Sequence, residues 1–227
     1  MKTLAIIPAR GGSKRFPGKN IHLLNGIPLI AFSIKYAQFH GASTVVVSTD
    51  DNQIAELSIQ FGAEVVIRPP TLSADNSTTL EAVHHTLLEI ERRGCEHDLV
   101  ITLQPTNPLR PKHLWQDAIN KFSLNPDSVM AVSLNHLKLG KLSAEGLFLP
   151  ESYHPGQRTQ DLDKRYFENG LFYLTSPNLI KQKELFGKNV QTVITSSQYS
   201  VDIDYKHDLL FAESLIQSNI KEYTYFI

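Results

Sequence analysis

The chain has 227 residues, 41% hydrophobic and 20% charged, with a formal net charge of −1. That is enough to bury a core in one large domain, or one domain with a small appendage, and it argues against a general nucleic-acid binder. The single cysteine, Cys95, excludes an internal disulfide and a multi-thiolate zinc site, and no apolar run approaches the roughly 20 residues of a membrane span.

The N-terminal apolar run is short and passes directly into "PARGGSKR", unlike a signal peptide, so the protein is read as cytoplasmic. Thr3 to Pro8 is a short strand. Ile27 to His40 has apolar residues at helical spacing. Thr44 to Asp50 is a buried strand, and Asp51 to Gly62 a capped amphipathic helix that ends at glycine. Glu64 to Pro69 is a third strand. Ser77 to Gly94 is a long helix capped by Ser77, Thr78 or Thr79. A fourth strand follows at Asp98 to Pro105, then a helix from Pro111 to Phe122 with proline at its start, and a fifth strand at Ser128 to Leu134.

Strands alternating with helices imply right-handed βαβ units and a parallel sheet covered on both faces, with ligands beyond the carboxyl ends of the strands. That gathers "PARGGSKR", "STDD", "RPPTLSADNSTT" and "QPTNPLRP" on one rim. After residue 135 the rhythm changes to two glycine-broken β-like runs, a polar loop and a strand at Gly170 to Leu174. Further strands in "VQTVITSSQYSVDID" and a final amphipathic helix complete the chain. The middle section, 136–168, reads as a protruding arm, and an excursion that cannot bury its own apolar face packs against a partner subunit.

The first chemical signal is "ARGGSKRFPGKN". Gly11 and Gly12 allow close approach of the backbone and positive φ, successive N–H groups form an anion nest, and Arg10, Ser13, Lys14 and Lys19 add cations and a hydroxyl. A triphosphate suits this set, but read alone the segment is an ordinary strand-to-helix loop. Five residues separate Gly12 from Gly18 and Asn20 follows Lys19, so it is not a Walker loop; Gly11 and Gly12 are adjacent, so it is not a dinucleotide fingerprint.

In "SVDID", an extended backbone points Asp202 and Asp204 to one face, where two carboxylates call for a cation such as Mg²⁺. The competing reading is that Asp204 caps the last helix and Asp202 is solvated. Gln104 ends a buried strand with an amide that both donates and accepts. Arg68 follows another strand near Thr78 and Thr79, well placed for base or ribose contacts. Arg158 can pair bidentately with a carboxylate, and Lys138 and Lys141 are candidates for the same anion. The histidines show no metal-ligand spacing. A Rossmann oxidoreductase needs glycines this loop lacks, and a non-catalytic nucleotide-binding module has no need of Asp202 with Asp204, or of Arg158.

Six segments, "IIPARGGSKRFPGKN", "VVVSTDDNQIAELSIQFGAEVVIRPPTLSADNSTT", "LQPTNPLR", "GQRTQDL", "NGLFYL" and "DIDYKHDL", occur in an order that resembles the acylneuraminate cytidylyltransferases, the CMP-sialic acid synthetases. The resemblance covers nearly the whole chain as a single cytidylyltransferase domain, 1–227. It implies a Rossmann-like α/β nucleotidyltransferase fold, a mostly parallel sheet flanked by helices with a protruding dimerisation arm, and a homodimer using Mg²⁺ or Mn²⁺. It implies the reaction of CTP with a nine-carbon 2-keto sugar acid, N-acetylneuraminic acid or a relative such as legionaminic acid, giving the CMP-sugar and pyrophosphate. By motif position, Arg10, Gly11, Gly12, Ser13, Lys14, Lys19 and Asn20 hold CTP, with Arg68, Thr78 and Thr79 assisting. Gln104, Tyr173 and Lys141 (or Lys138) serve the sugar, Arg158 its carboxylate, and Phe186 reaches the sugar pocket from a neighbouring subunit. Asp202 and Asp204 bind metal, and Arg10, Lys14 and Lys19 join them in catalysis. Departures at Thr159, Asp163 and the "NHLKLGKLSAEG" segment fall on the sugar side. The related enzymes for the eight-carbon sugar Kdo, the alternative substrate, lack Gly-Gly-Ser-Lys after "IPAR" and fit less well.

Overall fold

The computed structural model describes residues 1–74, 76–219 and 221–223. In chain order the elements are β1 (Thr3–Pro8), β2 (Leu23–Leu24), β3 (Ile27–Pro28), α1 (Leu29–Phe39), β4 (Thr44–Thr49), α2 (Asn52–Gln60), β5 (Glu64–Ile67), α3 (Thr79–Arg92), β6 (Leu99–Thr102), α4 (His113–Phe122), β7 (Ser128–Asn135), β8 (Gly140–Leu142), β9 (Phe148–Pro150), β10 (Arg165–Thr175), α5 (Pro177–Lys181), β11 (Val190–Thr195) and α6 (Lys206–Ser218).

Seven strands form one sheet in the order β11-β7-β10-β6-β1-β4-β5. β1 pairs in parallel with β4 and β6, β4 with β5, and β7 with β11. β10 is antiparallel to both β6 and β7, so the sheet is mostly parallel, as expected, with one strand reversed. The arm excursion is the physical reason: the chain leaves the sheet after β7 and returns from the opposite end. Inside the excursion, β8 and β9 pair as a separate antiparallel hairpin.

Period-two alternation divides the apolar residues between the two faces of the sheet. Ala5, Ile7, Val45, Val47, Leu99 and Ile101 face a core shared with α1, α2, α4 and α6. Leu4, Ile6, Val46 and Val100 face a smaller core closed by Val83, Leu87 and Ile90 of α3 and Ile180 of α5. Strands buried on both faces read as the continuous apolar runs seen in the sequence.

The helix starts follow local chemistry. Asp51 caps α2 by accepting from the Ile54 amide at 2.9 Å. Of the three candidate caps of α3, Thr78 is the one used: Glu81 returns a bond to the Thr78 amide at 2.7 Å, closing a capping box. α6 is capped from its third residue, as Asp208 Oδ2 accepts from the amides of Asp204 (2.9 Å) and Tyr205 (2.7 Å). The Asp204 carboxylate is thereby left available for other partners.

Candidate active site

The rim at the carboxyl ends of β1, β4, β5 and β6 carries a cavity of 340 Å³, lined by Arg10, Ser13, Lys14, Lys19, Asn20, Arg68, Thr78, Thr79, Gln104 and Asp204 among others. The sheet topology therefore brings together ten of the residues singled out in the sequence. The cavity wall also contains Arg15, Phe16, Ser77 and Thr106.

The 10–20 loop is held from both sides. The Gly11 amide donates to Asp50 Oδ1 at 2.9 Å, and the Asn20 side chain donates to the Arg10 carbonyl at 2.9 Å. Gly11 is required by space: a Cβ there would stand 2.7 Å from Asp51 Oδ2 and 2.9 Å from Asp51 Cβ, and Asp51 is fixed as the α2 cap. The expected positive φ at Gly11 and Gly12 is not observed; the left-handed residue of the loop is Gly18, at φ 67°. The loop turns later than the glycine pair suggested, because Gly18 precedes the short 3-10 turn at Lys19–Ile21 that buries Lys19 and Asn20.

The cations are directed. Lys19 Nζ meets Asp204 Oδ1 at 2.9 Å, and Arg15 meets Asp204 Oδ2 at 2.8 Å. The Arg15 guanidinium also lies 5.7 Å over the Tyr205 ring, and its pKa is raised by a hydrogen bond with Tyr205 and by the charge of Asp204. Arg68 is buried, with Nε bonded to Ser48 Oγ at 3.0 Å and an amino group to the Ser48 carbonyl at 2.7 Å. Burial lowers its pKa to about 10, although Asp50 acts in the opposite direction. Two of its donors are committed to β4, so Arg68 shapes the wall more than it reaches inward.

A second pocket of 290 Å³ adjoins the first and shares Gln104 with it. Its lining includes Asn107, Phe167, Glu168, Asn169, Tyr173, Ser200 and Asp202. The segment "SVDID" forms no ladder strand, but the Ile203 amide donates to the Thr106 carbonyl at 2.8 Å and burial alternates along it. Val201 and Ile203 point inward while the two aspartates point to the rim, Asp204 toward the first cavity and Asp202 toward the second. The Asp202 carboxylate opens onto the pocket yet is walled by protein. This desolvation raises its pKa, with a smaller push from Asp204, against a hydrogen bond from Thr106 and the charges of Lys19 and Arg15.

Three basic residues of the sugar-side set, and Phe186, lie elsewhere. Lys141, in the β8–β9 hairpin, pairs with Glu151, and Arg158 forms a two-pronged pair with Asp161 at 2.7 and 3.1 Å. Lys138 binds the Gln157 carbonyl and sits 5.2 Å over the Tyr153 ring. None of the three lines either pocket of its own chain, because all are on the excursion that leaves the sheet. Phe186 packs on Tyr173 of the same chain, with ring centroids 5.5 Å apart, and lines neither pocket.

Other residues acquire roles that sequence reasoning missed. Arg110 is wholly buried: Nε donates to the Leu171 carbonyl at 2.6 Å, and its amino groups donate to Ser33 Oγ at 3.0 Å and to the Gln104 carbonyl at 2.6 Å. It ties α1, the residue shared by both pockets, and β10 to one planar group. It stands inside the quoted "LQPTNPLR", but nothing in that spacing separates a buried arginine from a solvated one. Arg15 and Thr106 likewise lie inside quoted motifs, and their position beside the aspartates becomes visible only in three dimensions.

A family profile described as Cytidylyltransferase matches residues 4–226. The chain is 34% identical over 227 residues to the CMP-N,N′-diacetyllegionaminic acid synthase of Legionella pneumophila, covering 96% of this chain and 98% of that protein. It is 37% identical over 221 residues to N-acylneuraminate cytidylyltransferase A of Danio rerio, covering 93% of this chain and 50% of that protein, so it spans half the length of that relative. Among solved structures, a CMP:2-keto-3-deoxy-manno-octonic acid synthetase complexed with CTP aligns with a TM-score of 0.73 over 96% of this chain and 100% of that chain. At 16% identity that likeness is one of fold.

Proposed function

The chain belongs to the cytidylyltransferase family, and from that premise we propose that it joins CTP to a nine-carbon 2-keto sugar acid, giving the CMP-sugar and pyrophosphate. The substrate class is that of N-acetylneuraminic or legionaminic acid. The observation that carries this reading is the pair of adjoining pockets: one rich in cations, the other with no Lys or Arg in its described lining, joined at Gln104 and at the Asp202–Asp204 segment. A triphosphate fits the first and a polyhydroxylated sugar the second.

In this mechanism the anomeric 2-hydroxyl attacks the α-phosphorus of CTP in line, its proton passes to water, and the bond from that phosphorus to the bridging oxygen breaks to release pyrophosphate. Such a transfer depends on positioning and on neutralising charge. Arg10, Lys14 and Lys19 surround the phosphates and offset the charge that grows on pyrophosphate. Gly11, Gly12, Ser13 and Asn20 set the backbone of the cradle, with Arg68, Thr78 and Thr79 walling the nucleoside side. Gln104 and Tyr173 position the sugar.

The donor set suits Mg²⁺ or Mn²⁺. Asp202 and Asp204 flank the buried Ile203 and point to one rim, and the charge of Asp204 adds to the cost of ionising Asp202. They would hold the ion, whose chemistry when bound is to polarise the phosphoryl oxygens. Among the described residues no group of three or more His, Cys, Asp or Glu side chains could hold a metal, so phosphate oxygens and water would have to complete the shell. Lys19 and Arg15 pair with Asp204, and both cations would be free to meet the phosphates if Asp204 held an ion instead.

The protein acts as a homodimer of one cytidylyltransferase domain, 1–227, with residues 136–168 as the arm. Support comes from apolar surface that the arm leaves in water: Leu142 is 72% exposed and Phe148 52%. Lys141 and Arg158, remote from their own pockets, come from the arm of one copy to the site of the other, where Arg158 meets the sugar carboxylate. Phe186, which lines neither pocket of its own chain, reaches the sugar site of the other copy in the same way. The reaction consumes CTP, which supports the reading of a cytoplasmic protein.

Mixing two inactive variants tests this arrangement. Arg158→Ala and Asp204→Asn chains, unfolded and refolded together, form mixed dimers with one intact site, so CTP-dependent pyrophosphate release returns. A mixture as inactive as either parent contradicts the shared site.

A further inference from the structure

The second pocket has a chemical bias that the reaction alone does not explain. Its polar lining consists of two carboxylates, Glu168 and Asp202, the amides of Gln104, Asn107 and Asn169, and the hydroxyls of Tyr173 and Ser200. The sugar carboxylate is therefore not held here, and the pocket offers mainly acceptors to whatever enters.

Glu168 and Tyr173 are brought together by a break in β10. Its register against β7 runs to Glu168↔Val132 and resumes at Tyr173↔Met130, so residues 169–172 bulge out of the ladder. The bulge is fixed. Buried Asn169 donates to Ser133 Oγ at 2.9 Å and Thr195 Oγ1 at 2.8 Å, and Gly170 sits at φ 73° where a Cβ would lie 2.4 Å from Asn107 Oδ1. In consequence two residues five apart meet at the pocket, and the Tyr173 hydroxyl donates to Glu168 Oε1 at 2.5 Å. Burial and the neighbouring Glu168 push the Tyr173 pKa up, which keeps that proton on the phenol. With the proton committed, Tyr173 presents only lone pairs to the pocket. Glu168 Oε2 has no protein partner among the described residues. The Gln104 side-chain amide is similarly uncommitted, since the bonds at that residue run through its carbonyl.

We propose that Glu168 is a specificity-determining residue that accepts a hydrogen bond, through Oε2, from a donor on the carbon body of the sugar acid. Resting on the sugar-acid reading above, this deepens it: the pocket selects acids whose body carries an acylamino N–H or a hydroxyl where β10 bulges. Glu168 is exposed in the empty pocket, so a bound substrate takes its carboxylate out of water, and one that lacks the donor leaves that charge without a partner.

The test uses the full-length enzyme and its Glu168→Gln, Glu168→Ala and Tyr173→Phe variants, with melting temperature as the control for folding. Steady-state kinetics are compared for N-acetylneuraminic acid, N,N′-diacetyllegionaminic acid and analogues in which single hydroxyl or acylamino donors are replaced by hydrogen. The expected result is a loss of about 10- to 100-fold in kcat/KM for the sugar in Glu168→Ala, with the KM for CTP within about twofold of wild type. One deoxy or deamino analogue loses as much with the wild-type enzyme and nothing further with Glu168→Ala. Which analogue behaves this way separates the N–H from the O–H donor. Equal losses for every analogue, or identical and non-additive effects of Glu168→Ala and Tyr173→Phe, overturn the proposal in favour of a role through Tyr173 alone. Wild-type turnover with unchanged discrimination in the Glu168 variants sinks only this inference, whereas absence of wild-type turnover with every nine-carbon acid sinks the reading it rests on.

Discussion

Replacing Arg110 with methionine keeps the length and apolar contacts of the side chain and removes its charge and donors. Three bonds are lost, to the carbonyls of Leu171 and Gln104 at 2.6 Å each and to Ser33 Oγ at 3.0 Å; Leu171 and Ser33 are fully buried, whereas Gln104 borders both pockets. A hydrogen bond to a charged group contributes about 1.5–3 kcal/mol. Because the three share one donor group their losses overlap, and the expected cost is about 3–5 kcal/mol. That is a large part of the roughly 5–15 kcal/mol that stabilises a typical fold. In urea, with a slope of about 2 kcal/mol per molar, the midpoint should fall by about 2 M. Because Arg110 also fixes the backbone of Gln104 and of the β10 bulge, the sugar KM should rise more than the KM for CTP. A midpoint shift below about 0.5 M, or equal effects on both substrates, refutes the view that Arg110 holds the two pocket walls together.

Three further outcomes follow from the same geometry. Gly11→Ala drives a methyl group into Asp51, and displacement of the phosphate cradle should lower kcat/KM for CTP about 10- to 100-fold with little change in fold; steady-state kinetics at saturating sugar decides it. Asp202→Asn should abolish most turnover while leaving the protein as stable as wild type or more so at neutral pH. The reason is that the folded state raises this carboxyl's pKa, so its ionisation opposes folding above the ordinary carboxylate range, and the advantage of the variant should vanish in acid; thermal melts across pH test this. His40, stacked at 5.3 Å on Trp115, has its pKa lowered by burial to about 4. The unfolded chain takes up that proton near pH 6.5 and the folded chain near 4, so stability should fall as pH drops across this window. A denaturation series with His40→Gln should be flatter there, and an identical slope contradicts the assignment.

Much of this molecule is legible in the amino-acid order because local chemistry and global fold agree. The run Thr3–Pro8 is a strand at its predicted limits, and Asp51 and Thr78 cap the helices they precede. Pattern reasoning placed Arg10, Arg68 and Gln104 on one rim because strand–helix alternation carries three-dimensional information, while Lys19 and Asp204 were singled out by their chemistry and not by topology. It failed where position depends on a long excursion. The direction of β10 is set by the path of the arm, and the nearness of Glu168 to Tyr173 by a bulge that no periodicity announces. Arg110 stayed hidden because burial of an arginine runs against every hydrophobic pattern. Lys141 and Arg158 lie on the excursion, where they pair with Glu151 and Asp161, and no periodicity in the sequence places them against either pocket.

The most direct measurement follows ³¹P resonances while the purified protein is incubated with CTP, Mg²⁺ and either N-acetylneuraminic or N,N′-diacetyllegionaminic acid. The account predicts loss of the triphosphate signals with equimolar appearance of pyrophosphate and a CMP-sugar phosphodiester, dependent on the sugar. Persistence of CTP with these and other nine-carbon acids, or turnover of Kdo alone, contradicts it.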